Sequence, residues 1–148
     1  LTDLLADEAT HQVTDDGTMQ IRMADELESV SDYISNILKL HLRLHNDGEA
    51  LDSGESQTIL DLHAETKAYM AMILEGYGDR NRDIISKAKS QGDAITHHIR
   101  TAREAHLTRI GDERVAPLAS VTFTNILNGY RRVKDHMLNF AEAMAGEK

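Results

Sequence analysis

The chain has 148 residues, one proline, no cysteine and 4% aromatic residues, and its 25 Asp and Glu against 16 Lys and Arg give a formal charge of −9. That length holds one domain with a real core; that charge opposes binding to nucleic acid or to an anionic membrane surface; and without thiols there are no disulfides or thiolate metal sites, which fits a reducing compartment. With 41% hydrophobic residues and no long alternation of β-branched side chains, the composition predicts helices throughout.

Four long periodic stretches are separated by polar and glycine clusters at Thr14–Gly17, Asn46–Gly54, Gly76–Asn81 and Gly111–Glu113. Residues Leu1 to Val13 form a weakly periodic lead-in with no assigned order. Helix A is expected from about Asp16 to Leu44, because Met23, Leu27, Val30, Ile34, Ile37, His41 and Leu44 recur alternately four and three apart. Helix B is expected from Ser53 to Gly76, opened by a capping-box pair, Asp52 and Glu55, with Ile59, Leu62, Met70, Ile73 and Tyr77 inward.

Helix C is expected from Arg80 to Arg109 with Asp79 as its cap, on a thin stripe of Ile84, Ala88, Ile95, Ile99, Ala102 and His106. Helix D begins at Pro117, tolerated in a first turn, and runs to Met144 over Phe123, Ile126, Tyr130, Val133, Met137, Phe140 and Met144. Four amphipathic helices on short connections bury their stripes as an all-α, antiparallel four-helix bundle, so residues 1–148 read as a single domain. No run of eighteen apolar residues and no charged-then-apolar leader occurs in it.

Helices A and D share a segment 103 positions apart: Asp25-Glu-Leu-Glu-Ser-Val-Ser-Asp-Tyr-Ile-Ser-Asn36 and Asn128-Gly-Tyr-Arg-Arg-Val-Lys-Asp-His-Met-Leu-Asn139. Superposition puts Asp32 on Asp135, Asn36 on Asn139 and Val30 on Val133, while Met23, Ile34 and Ile37 meet Ile126, Met137 and Phe140. A repeat that keeps its apolar line and part of a polar stripe points to two copies of one ancestral unit. Helices B, C and D then make a three-helix unit, and helix A is the last helix of a preceding one. From this, and from the first residue being Leu1, the sequence reads as part of a longer protein.

Within the repeat, Glu28 and Asp32 lie one turn apart on one face, with Asp25 three residues earlier. A divalent or ferric cation would relieve their repulsion, and Asn36 adds a carbonyl; the plainer reading is a solvated acidic face. The first copy resembles the signature of the PhoU family, in which an acid, leucine, glutamate, three intervening residues, aspartate and then asparagine recur once per three-helix unit. The resemblance implies a PhoU-like bundle whose Glu-x-x-x-Asp pairs bind metal ions on the surface, here Glu28 with Asp32, and Asp135 from the second copy. That second copy departs from the pattern: Arg131 stands at the glutamate position, where it is expected to pair with Asp135.

PhoU-like units occur as stand-alone regulators of phosphate uptake and as cytosolic regions of bacterial sodium/phosphate cotransporters. The resemblance therefore implies a regulatory domain of a sodium:phosphate symporter at the cytoplasmic face of the cell membrane. It would have no catalysis of its own, and its partners would be the transmembrane part of the same transporter and, as a homo-oligomer, further copies. The alternatives are a stand-alone regulator and a metal-carrying four-helix bundle.

Other groups carry weaker signals. His41 and His45 have the spacing for one Zn²⁺ or Ni²⁺, or else fill a core position and a helix's last turn. Glu8-Ala-Thr-His11 matches one arm of a di-iron site, but no second copy of that element occurs. His97 and His98 with Arg100 and Arg103 offer a phosphate contact, and Arg131, Arg132, Lys134, Arg80 and Arg82 a docking surface. For each, ordinary helix-surface charge is the competing account. No phosphate loop, nucleophile elbow or Ser/His/Asp set is legible.

Overall fold

The computed structural model describes residues 2–79 and 83–146, and these form four helices: α1 (Thr2–Asn46), α2 (Ser53–Asp79), α3 (Ile84–Asp112) and α4 (Pro117–Met144). The all-α bundle is as expected, and α4 starts and stops where its proline and apolar period place it. The first helix is longer than the sequence suggested. It passes through Thr14-Asp-Asp-Gly17 without a break, and Thr10, Thr14 and Thr18 each return their hydroxyl to the carbonyl four residues back, at 2.8, 2.9 and 2.9 Å. Those local bonds satisfy the side chains inside the helix, so the polar cluster does not end it.

The α1 terminus is a glycine stop. Gly48 sits at φ 73°, its amide bonds to His45 O, and the Glu49 amide reaches Leu44 O, the paired closure that a left-handed residue permits. At α2 the capping box is half made: the Glu55 amide donates to Asp52 Oδ1 at 2.6 Å, but the Glu55 carboxylate turns inward. Gly76 does not end α2, which continues to Asp79, and α3 opens at Ile84 with Asp83 before it. The start expected at Arg80 lies outside the described residues.

Packing is unequal among the helices. Helices α2, α3 and α4 pack on one another, whereas α1 packs on α4 alone. The direction of each pair follows from its contacts. Glu26 of α1 meets Asn139, and Ile37 meets Gly129, so α1 and α4 are antiparallel. His63 lies by Tyr130, and Tyr77 by Phe140, so α2 and α4 run parallel, with α3 antiparallel to both.

Burial follows that plan. Helix α4, covered on two sides, buries twelve residues, and α1 buries only Met23, Val30, Ile37 and Leu44, seven apart. That is the narrow seam of a helix with one neighbour. The wider stripe expected on helix A is corrected accordingly: Leu27 and Ile34 are each 38% exposed, and His41 is half-buried. On α2, Tyr77 is exposed and Met70 half-buried, while Tyr69, not anticipated, is fully enclosed. Every inward residue expected on α3 is buried.

Candidate functional site

The sequence put Glu28, Asp32 and Asp135 forward as metal ligands, and the fold separates them. Glu28 and Asp32 each stand two residues from buried Val30, roughly 200° around the helix at about 100° per residue, so both point away from α4 and are exposed. Asp135 is half-buried on α4, with Lys134 Nζ 2.5 Å from its Oδ1. Its charge acts on Tyr69 of α2, whose hydroxyl titrates well above the ordinary tyrosine range, chiefly through burial. Asp135 thus belongs to the α2 side of α4, away from the pair.

Among the described residues, no group of three or more His, Asp or Glu is placed to hold a metal ion. The resemblance implies a metal cluster, but the pair supplies two solvated carboxylates and α4 adds none, so the residues do not fit a closed cage for a hard cation. The expected Arg131–Asp135 pair also differs. Lys134 takes the carboxylate, and Arg131 turns its Nε into a buried position without a hydrogen-bond partner among the described residues.

The acid in the repeat that does make contact across helices is Glu26. Its Oε2 accepts from His136 Nδ1 at 2.7 Å and lies 3.4 Å from Asn139 Nδ2, while Tyr33 stacks on the His136 ring at 5.5 Å. This cluster closes the flank of the α1–α4 seam. Asn128, which replaces the leading acid of the second copy, accepts from Arg103 Nη2 at 2.8 Å. His98 pairs with Glu65 at 2.7 Å, so its ring nitrogen and the Arg103 head are both engaged within the bundle, and the expected phosphate contact is not assembled. Glu8 and His11 are both exposed on the first turns of α1. Arg80 and Arg82 lie outside the described residues.

A buried polar line ties the start of α2, the end of α3 and the start of α4. His106 Nδ1 donates to Glu55 Oε1 at 2.5 Å, its Nε2 lies 2.8 Å from Ser120 Oγ, and the Phe123 ring covers it at 4.9 Å. Arg109 Nη1 stands 2.7 Å from Glu55 and 2.9 Å from Asp52, and the bond to Glu55 holds its guanidinium in the charged form more firmly than usual. The order Ser120, His106, Glu55 is that of a nucleophilic relay. The Ser120 amide is already bonded to Ala116 O at 3.0 Å, and an acyl-transfer site would need such an amide free for the oxyanion. The line's evident work is to satisfy buried groups at the junction of three helices. Sequence reading placed His106 in the core and Glu55 at a cap, but not together, because the two are 51 residues apart.

Between α1 and α2 runs an open groove of about 540 Å³, floored by Ile37 and Tyr130 and walled by Leu38, His41 and His45 on one side and Ile59, Leu60 and His63 on the other. His63 Nδ1 lies 3.2 Å from the Tyr130 hydroxyl. Burial lowers the His41 pKa from 6.5, which keeps the groove wall neutral. The i, i+4 histidines noted in the sequence therefore face a third histidine across the groove. Among the described residues no helix is long and apolar enough to cross a membrane. Compared with family models, with characterised proteins and with solved structures, the chain matches none.

Proposed function

We propose that the chain is a PhoU-like regulatory domain of sodium-dependent phosphate transport, held at the cytoplasmic face of the membrane by the membrane-spanning part of its transporter. The observation that carries this reading is the repeat of 103 residues. Its two copies are antiparallel partners in one seam, with Val30 and Val133 both buried, 3% and 1% exposed. Repetition with a shared buried register is hard to obtain from two unrelated helices. The second support is architectural: α2, α3 and α4 close on one another as a unit, and α1 stands outside it as a lone helix.

The regulatory step lies in packing. Because α1 is held only by α4, a modest difference in affinity for a partner biases how α1 sits on the unit, and that bias is the signal passed on. The exposed pair Glu28 and Asp32 remains reachable from solution on the outer face of α1, and no step here runs through a bound metal. In-frame removal of residues 2–146 in the source cell is expected to alter sodium-dependent phosphate uptake or its response to external phosphate. Uptake and response identical to the parent would overturn the proposal.

A further inference from the structure

Positions related by the repeat differ in burial in a patterned way. Tyr130, Met137 and Ala141 of α4 are 6%, 0% and 0% exposed, while their counterparts Leu27, Ile34 and Leu38 on α1 are 38%, 38% and 59% exposed. On α4 this face carries α2 and α3; on α1 it carries nothing in this chain. Leu42, 61% exposed, extends the strip by one turn. Roughly 80° of arc separates the strip from the α4 seam, and it overlooks the groove whose far wall is Leu60. Contiguous apolar surface of this kind marks an interaction site.

We infer that the strip is the contact between two copies of this chain, α1 pairing antiparallel with the α1 of a second molecule. Charge selects that occupant. Residues 2–32 of α1 carry Asp25, Glu28 and Asp32 among many acids and one base, Arg22; residues 33–46 carry Lys39 and Arg43 and no acid. Such a helix is complementary to itself only when reversed. Glu28 and Lys39 are 11 residues apart, hence about 20° from each other around the helix, on the same flank of the strip. A reversed copy centred between Tyr33 and Ile34 sets Glu28 of each against Lys39 of the other, twice by symmetry. The α1–α4 seam beside it already uses the antiparallel arrangement, so the new contact continues an existing one.

Sedimentation equilibrium of the full chain, with a chelator present so that metal bridging plays no part, tests this. The expected result is a two-copy mass that falls toward one copy on dilution. Leu38→Glu should give one copy at every concentration; Glu28→Lys and Lys39→Glu should each weaken the pair about tenfold, and the double exchange should restore it. All three positions are exposed, so circular dichroism should match the parent. The chain has no cysteine, so a single one reports geometry: Ile34→Cys, at the centre, should form a disulfide-linked pair on oxidation, and Asn36→Cys, on the opposite side of α1, should not. One-copy mass throughout, a dimer indifferent to Leu38→Glu, or an exchange as weak as its single variants would overturn the inference.

Discussion

His41 shows how one side chain serves the groove. Its imidazole sits at the edge of the α1 seam, where burial disfavours the charged form and lowers its pKa from 6.5. A base with a lowered pKa in the fold lends stability that is complete above 6.5 and is lost as the pH falls, because the unfolded chain takes up the proton first. The melting temperature of the chain is therefore expected to drop below pH 6.5, and to drop less in His41→Leu, which keeps His45, His63 and Glu49 around the groove. Equal pH slopes for the two proteins would contradict the assignment. The same residue also marks the limit of sequence reading: its period put it inside, but only the absence of a second neighbour for α1 explains why it stays half-buried.

At the level of helices, the closest approach of α1 to α4 is set by Gly129. A Cβ added there would lie 2.6 Å from Ile37 Cγ1 and 3.0 Å from its Cδ1, closer than carbon atoms pack. Alanine would gain about 1 kcal/mol of helix propensity but push the seam apart, so Gly129→Ala is expected to lose roughly 1–2 kcal/mol net by urea unfolding. Adding Ile37→Ala should recover part of that loss, since it vacates the space. The glycine was visible in the repeat, where it stands opposite Glu26, but its reason was not: spacing reveals which positions face inward, not how near the neighbour comes. The extents of α3's stripe and of α4 were legible because apolar period, proline and alanine content agree there. The start of α1 was not, because threonines bonded back to their own helix look like loop residues in one dimension.

For the molecule as a whole, stability is distributed in two parts. Residues 2–18 of α1 extend beyond the end of α4 with Leu4, Leu5 and Val13 exposed, and a helix without tertiary cover is marginal in water. Amide exchange in this arm is expected to be the fastest of any helix, the seam region of α1 intermediate, and the α2–α4 unit slowest and close to global unfolding. Exchange measured residue by residue checks the order; an arm as protected as α4 would refute it. The bundle class and the inequality between α1 and the other three helices were both readable, the second through the repeat. The polar junctions were not: Glu26 with His136, and Glu55 with His106, join residues 110 and 51 positions apart, and no local pattern records such pairings.

One mechanical result follows from the antiparallel seam. The free arm of α1 and the last turn of α4 emerge at the same end of the bundle, so tension applied between them would load the seam one residue layer at a time, beginning at Met23 and ending near Leu44. Contacts strained in series yield at low force, and the rupture would stop at the Gly48 turn with the other three helices still folded. Tethered at that end, the domain would work as a latch that opens under gentle load and closes again without refolding.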